Sequence, residues 1–374
     1  MKLAQNLAPL GFGYMRLPEF EDEAGNKVID LETVKAMTDE FMNAGFTYFD
    51  TAWTYHGGRS EVALREALVE RYPRDSFTIA TKMPAWAAHS TEEAHAMFDT
   101  SLERTGAGYF DYYLLHQLGG DSTVLFDEYG LWDFALAKRE AGLIKHFGFS
   151  FHGTAEELQD ILALHAQDVE FVQLQINYTD WENDIIQSRK CYEIVRSYDL
   201  PVIVMEPVKG GSLVKLPPAA EAILKEADPH QSLASWALRF PASLEGVMVV
   251  LSGMSTPEQL RENIQIMADG KPLDANELAA IDEVREVLSS IETVPCTHCG
   301  YCLKGCPQHI HIPIIMDSLD ILAKFDDMYR AQENYNWNAP NEASTCIACG
   351  NCESRCPQHI DIICQLERAA ELFE

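Results

Sequence analysis

The chain has 374 residues, with 28 basic and 58 acidic side chains (a formal charge of −30 at pH 7), 47% hydrophobic and 23% charged residues. This composition is that of a globular protein and excludes collagen-like, coiled-coil or disordered organisation; no basic stripe is present to neutralise phosphates, which excludes nucleic acid as an expected partner. At about 150 residues per domain, the length predicts two to three domains.

Taken in chain order, the N-terminus (Met1, Lys2, Leu3, Ala4, then Gln5, Asn6 and Pro9) breaks up before the apolar region of a signal peptide forms. Apolar runs such as Val247 to Leu251 are far shorter than the roughly 20 residues that span a bilayer. No membrane partner and a cytoplasmic location are therefore expected. Eight short β-rich runs follow: Gly11 to Leu17, Thr47 to Thr51, Phe77 to Lys82, Tyr112 to His116, His146 to Ser150, Phe171 to Asn177, Val202 to Glu206 and Val247 to Leu251. They are hydrophobic throughout, as expected of parallel strands covered on both faces. A helix-sized gap separates each from the next, which predicts an α/β fold, a (β/α)8 TIM barrel. Ser60-Glu61 and Ser90-Thr91 read as helix starts. The competing doubly wound sheet lacks its fingerprint, because Gly11-Phe12-Gly13 has no third glycine and opens no helix.

Reactive groups of a barrel lie at the C-terminal ends of its strands. Asp50 ends the second predicted strand with Tyr55 in the loop beyond it, Lys82 ends the third, and His116 ends the fourth. A phenol ionises near pH 10 and needs a neighbouring ammonium to become a useful acid near neutrality. Lys82 supplies that charge in this reading, and Asp50 orients Lys82. Gly210-Gly211-Ser212, after the seventh strand, offers backbone amides to a phosphate at a customary barrel position, with Lys209 adding charge; a plain flexible loop is the alternative. Trp53, Trp86, Trp132 and Tyr178 are candidates to line a substrate pocket, or packing residues.

The last 84 residues hold nine of the ten cysteines, eight of them in a repeat. Cys296, Cys299, Cys302, Cys306 and Pro307 recur 50 positions on as Cys346, Cys349, Cys352, Cys356 and Pro357, each unit reading C-x-x-C-x-x-C-x-x-x-C-P. Three thiolates two residues apart wrap one face of an iron-sulfur cube, and the fourth usually ligates the other cluster. One [4Fe-4S] cluster then takes Cys296, Cys299, Cys302 and Cys356, and the other Cys346, Cys349, Cys352 and Cys306. Paired structural zinc sites are the alternative. The region resembles a bacterial-type two-cluster ferredoxin with a longer, partly helical insert. Cys191 and Cys364 read as buried helix thiols, and the repeated His309 and His359 as packing groups.

Phe49-Asp50-Thr51-Ala52, Tyr55, Ser60-Glu61, Thr81-Lys82 and Leu114-Leu115-His116 resemble the catalytic signature of the aldo-keto reductases over roughly residues 8 to 290. With the cysteine repeat, the chain is similar to the iron-sulfur-containing branch of that family, with a barrel over 1–290 and a two-cluster, partly helical ferredoxin-like domain over 291–374. The resemblance implies a nicotinamide-dependent oxidoreductase of carbonyl or alcohol substrates, in which Tyr55 protonates the carbonyl oxygen, Lys82 and Asp50 lower its pKa, and His116 orients the substrate. It implies NADP(H) or NAD(H) held by Ser150 and Gln173 at the carboxamide, and by Gly253, Ser255, Glu262 and Asn263 at the adenosine. Gly210 and Gly211 join that set as the phosphate loop read above. Phe151 stands in place of the usual Asn, Met205 in place of an aromatic stacker, and Met254 and Gln259 near the usual basic residues.

Hydride moves two electrons and each cluster one, yet no flavin fingerprint is present to join them. A second reading is therefore an electron-transfer module whose barrel is a scaffold for a redox partner. Residues 291 to 374 carry 5 basic and 12 acidic side chains, a surface that would steer a basic electron-transfer protein.

Overall fold

The computed structural model describes residues 10–374; the N-terminal segment read for a leader lies outside them. Ten strands form in chain order: β1 Leu10–Gly13, β2 Glu19–Glu21, β3 Lys27–Ile29, β4 Tyr48–Asp50, β5 Thr78–Met83, β6 Phe110–Leu118, β7 Ile144–Phe151, β8 Phe171–Gln175, β9 Val202–Met205 and β10 Val247–Gly253. Eight close into a parallel barrel in the order β1-β10-β9-β8-β7-β6-β5-β4, which settles the choice against a doubly wound sheet. Each expected strand is present, with shifted ends: β1 stops at Gly13, where Tyr14–Arg16 turn into 3-10 helix, and β6 runs two residues past His116. β2 and β3 form an exposed antiparallel hairpin.

The chain divides into two compact units. One takes residues up to Pro207 with Ser235–Leu273, and the other takes Val208–Ala234 with Asp274–Glu374. All barrel strands belong to the first unit.

The barrel interior explains where polar groups emerge. Tyr48, Ala80, Tyr112, Leu114, Phe171, Ile203, Val249 and Leu251 pack together as a buried cluster. Gly11 completes this level because a methyl there would lie 2.6 Å from Leu251 and 2.8 Å from Val249. Side chains of a strand return to the same face every second residue. Two positions beyond Tyr48, Ala80, Leu114, Phe171, Ile203 and Leu251 stand Asp50, Lys82, His116, Gln173, Met205 and Gly253. The next interior level, at the C-terminal mouth, is therefore polar where the one below it is apolar.

Helix ends follow ordinary capping chemistry in part. Ser90 accepts from the Glu93 N–H at 3.2 Å and starts Thr91–Thr105 as expected. Ser60 does not act as a cap: it lies inside Arg59–Leu64, bonded to the Thr51 hydroxyl at 2.8 Å and donating to the Tyr14 carbonyl at 2.9 Å.

The second unit is helical. Residues 291–374 contain Ile312–Phe325, Met328–Asn338 and Ile362–Phe373 and, among the described residues, no strand, so the insert between the cysteine motifs is a helix pair in place of ferredoxin sheet. Cys364 is exposed, contrary to expectation. The apolar face of its helix runs through Ile362, Leu366, Ala369 and Phe373, and position 364 falls off that stripe. Cys191 is buried, and burial pushes its thiol up to about 11. His309 and His359 are exposed rather than packed. They share a positive φ of 54° and 53° and donate their N–H to the carbonyls of Cys306 and Cys356, so the repeated histidine marks a turn.

Candidate functional site

Lys82 is the hub of the barrel mouth. Its buried Nζ donates to Asp50 Oδ1, to the Thr51 carbonyl at 2.8 Å and to the Tyr55 hydroxyl at 3.4 Å. The His116 ring lies 5.8 Å from that of Tyr55, at 79°. The four side chains come from the ends of three neighbouring strands and one loop, and they meet. Burial pulls the Lys82 ammonium down, but the charges of Asp50 and Tyr55 outweigh it and the net direction is up. Burial likewise pushes the Asp50 carboxyl up, and Lys82 offsets only part of that rise.

Tyr55 departs from the expectation that both neighbours lower its pKa. Burial raises the phenol, Lys82 lowers it, and Asp50 and Glu206 raise it again, leaving a net rise. Asp50 thus helps Tyr55 only through its hold on Lys82. His116 is driven well below its ordinary value by burial, then by Lys82 and His152, and stays neutral. Its Nδ1 has no partner among the described residues.

The loop carrying Tyr55 has a clamp absent from the sequence reading. Arg104 Nη1 donates to the Trp53 carbonyl at 3.0 Å and to the fully buried Glu61 at 3.3 Å, and its guanidinium stacks 4.7 Å from the Trp53 ring. Glu61 also accepts from Thr81 at 2.8 Å, one residue before Lys82. Arg104 sits on a distant helix with no local motif, so no sequence signal marks it.

The candidate nicotinamide positions divide. Ser150 Oγ accepts from the Gln117 N–H at 2.8 Å, whereas the buried Gln173 Oε1 has no partner among the described residues. Ser255 donates to the Arg16 carbonyl at 2.8 Å, Asn263 donates to Ser252 at 2.9 Å, and Glu262 is exposed. Met254 is fully buried and Phe151 nearly so. Arg16, unremarked in the sequence, lays its stem along Gly253, 3.3 Å from where a methyl would stand. Gly210 and Gly211 lie in the second unit, in the turn Lys209–Val214. Of the aromatic candidates, Trp86 is exposed and 6.5 Å from His116, whereas Trp132 stacks on His165 at 3.8 Å as packing and Tyr178 is buried against Phe240.

In the second unit, Cys296, Cys299, Cys302 and Cys356 line one pocket, and Cys306, Cys346, Cys349 and Cys352 line another. Each pocket takes three thiols from one motif and the fourth from the other, on a floor of Ile312, Met316 and Ile362 in the first and Ile310, Ile363 and Leu366 in the second. All eight thiols are free. The donor set fits a [4Fe-4S] cube in each pocket. At the joint between the motifs, Arg355 packs on Gly305, its Nε 2.9 Å from where a methyl would stand.

A parallel eight-stranded barrel with a lysine-bridged tyrosine at its mouth is the architecture of a barrel oxidoreductase. Residues 9–286 match the model of the aldo/keto reductase family, and residues 295–361 match that of a 4Fe-4S dicluster domain. The chain belongs to the aldo/keto reductase family and is an oxidoreductase, with a 4Fe-4S domain in its C-terminal part. An aldo-keto reductase of Mycolicibacterium smegmatis is 26% identical over 242 residues, 64% of this chain and 78% of that protein. An uncharacterized oxidoreductase of Bacillus subtilis is 24% identical over 294 residues, 69% of this chain and 91% of that protein. In fold, the chain is similar to the Bacillus halodurans aldo-keto reductase AKR11C1 in its holo form (TM-score 0.57, 22% identity, 74% of this chain and 91% of that one). A Klebsiella pneumoniae aldo-keto reductase in complex with NADPH is comparably similar (TM-score 0.58, 21%, 75% and 91%). Among the described residues no helix is long and apolar enough to cross a membrane.

Proposed function

We propose that the protein is a cytoplasmic, nicotinamide-dependent reductase of small aldehydes or ketones, or a dehydrogenase of the corresponding alcohols, with two [4Fe-4S] clusters in a domain beginning near residue 291. The observation that carries this reading is the meeting of Asp50, Lys82 and Tyr55 on one ammonium, with a neutral His116 alongside. A bound NADPH or NADH supplies hydride to the carbonyl carbon. Tyr55 gives its phenolic proton to the carbonyl oxygen, and the developing phenolate is met by the Lys82 ammonium. Asp50 keeps Lys82 charged and aimed. His116, uncharged, is free to hydrogen-bond the substrate oxygen without taking the proton.

Gln173, with an unpartnered buried carbonyl oxygen, and Ser150 suit the carboxamide end of the cofactor. Gly210 and Gly211 suit its phosphates, and Gly253, Ser255, Glu262 and Asn263 its adenosine end. Cys296, Cys299, Cys302 and Cys356 would hold one cluster and Cys346, Cys349, Cys352 and Cys306 the other; a bound cluster would supply one-electron transfer, for which a protein with a basic face is the partner that the acidic surface suits.

Anaerobic titration of cluster-loaded protein with NADPH and NADH tests the reading. Saturable micromolar binding, about −8 kcal/mol at 1 μM, with oxidation on adding an aldehyde is expected; Tyr55→Phe should still bind and not turn over. No binding up to millimolar cofactor removes hydride chemistry and leaves the barrel as a scaffold.

A further inference from the structure

Arg104 projects from the helix Thr91–Thr105 into the bend of the loop that carries Tyr55. Besides the carbonyl and ring of Trp53 it meets the far side of that loop: a methyl built on Gly58 would lie 2.7 Å from Arg104 Cζ, 2.8 Å from Nη1 and 2.9 Å from Nη2. Gly58 has a φ of 86° and follows His56 at 50° and Gly57 at 64°. The chain from Trp53 to Gly58 therefore folds back around one guanidinium, and its closing end has room only for a residue without a side chain. Trp53 is held at both backbone groups, its N–H donating to the Lys82 carbonyl at 3.2 Å and its carbonyl accepting from Arg104 at 3.0 Å. Two residues on, the Tyr55 hydroxyl stands 3.4 Å from Lys82 Nζ, at the outer limit of a hydrogen bond.

The seat of the arginine is Glu61, which is 0% exposed. A carboxylate taken out of water needs several donors. This one receives Arg104 at 3.3 Å, the Thr81 hydroxyl at 2.8 Å and the Ser101 hydroxyl. Thr81 precedes Lys82, so a single carboxylate ties down the strand that carries the ammonium and, through Arg104, the loop that carries the phenol. Apolar side chains would hold a helix to a barrel at least as firmly as a buried ion pair does. What they lack is direction: a planar guanidinium donates to a carbonyl and a carboxylate at once while its face rests on an indole.

We propose that Arg104, seated on Glu61, is a positioning residue for proton transfer, holding the Tyr55 loop in the bend that keeps the phenol within reach of Lys82; the inference rests on the reductase reading above. Arg104 acts through Tyr55 and touches none of the candidate nicotinamide residues, which lie on or after β7, β8, β9 and β10. Without the guanidinium the Trp53 carbonyl loses its donor and the bend loses its filling, so the loop relaxes and the phenol drifts from the ammonium. A misplacement of about 1 Å costs on the order of a hundredfold in rate, and the loss falls on kcat because binding of substrate and cofactor is left alone.

The test uses full-length, cluster-loaded protein under anaerobic conditions, as wild type, Arg104→Ala, Arg104→Gln and Arg104→Lys. Reduction of a panel of small aldehydes and ketones, NADPH affinity by nicotinamide fluorescence, and hydrogen exchange by mass spectrometry over residues 52–58 are measured. Arg104→Ala should lose at least tenfold in kcat, with KM and the NADPH dissociation constant within about twofold of wild type, and its loop amides should exchange at least tenfold faster. Arg104→Lys should lie between the two. Millimolar guanidinium chloride should restore part of kcat and of the loop protection to Arg104→Ala, and sodium chloride at the same ionic strength should not. An unchanged kcat, or a loss confined to KM, overturns the inference and leaves the reductase reading standing; unchanged loop exchange overturns it whatever the turnover. If the wild type binds neither nicotinamide, or reduces none of the panel, the reductase reading fails and takes the proton-transfer role with it, and loop exchange then decides the clamp by itself. Should Arg104→Ala not fold, Arg104→Gln and Arg104→Lys decide, and unchanged kcat and loop exchange in both overturn the proposal.

Discussion

Lys82→Met removes the cation that pairs with Asp50, and its cost follows from burial. Asp50 is 3% exposed, and among the described residues its Oδ2 has no partner and its side chain bonds to Lys82 alone. Left alone, the carboxyl cannot stay ionised in that site and takes a proton. Holding an aspartic acid neutral at pH 7, when its unfolded pKa is about 3.9, costs about 1.36 kcal/mol per pH unit, or about 4 kcal/mol. The variant's folded state binds a proton that its unfolded state lacks, so it gains stability as pH falls, about 1.4 kcal/mol per unit between pH 7 and the unfolded pKa. Burial gives the wild type a slope of the same sign, made shallower by Lys82. Urea unfolding of holoprotein at pH 5, 6 and 7 measures the difference. Tryptophan fluorescence is the readout, because five of the six tryptophans precede residue 290. Lys82→Met should be destabilised by about 4 kcal/mol at pH 7 and by roughly half that near pH 5.5, and adding Asp50→Asn should flatten the pH dependence. A deficit under about 1 kcal/mol, or one indifferent to pH, refutes the account of Asp50 as a buried, lysine-dependent charge.

Two further outcomes are expected. Because the Tyr55 phenol is raised above 10, the acid is in hand throughout the neutral range, and the alkaline fall of carbonyl reduction should lie above pH 10; a fall centred near pH 8 to 9 would mean that Lys82 outweighs burial. Cys356→Ser should perturb the Mössbauer and EPR spectra of the cluster held by Cys296, Cys299 and Cys302 and spare the other; perturbation of the cluster in its own motif would break the crossed ligation.

The barrel was legible because parallel strands covered on both faces are continuous apolar runs, and Asp50, Lys82 and His116 interrupt such runs at a fixed offset from the interior level. The hairpin β2–β3 escaped because it is exposed, and its sequences, Glu-Phe-Glu and Lys-Val-Ile, carry no buried stripe. Arg104 escaped for another reason. It acts on a loop far away in sequence, through a contact that exists only after folding, and no local spacing announces it. The direction of the Tyr55 shift was misread because a resemblance supplies neighbours without supplying the dehydration that burial imposes on the phenol. The grouping of thiols along the two pockets, three from one motif and one from the other, is the grouping that the cysteine spacing leads to expect.

Gly305 and Arg355 occupy the same place in the two copies of the cysteine motif, 50 residues apart, and they touch each other. A position that meets its own counterpart cannot hold the same large residue twice: two arginines would collide and repel, and two glycines would leave a hole. Two identical single-motif chains assembled as a pair would have to accept one of those faults. Joining the copies in a single polypeptide lifts the restriction, so that one copy can provide the knob and the other the socket. The tandem arrangement therefore gives the domain a built-in left and right, and its two cysteine-lined pockets sit in surroundings that need not be equivalent.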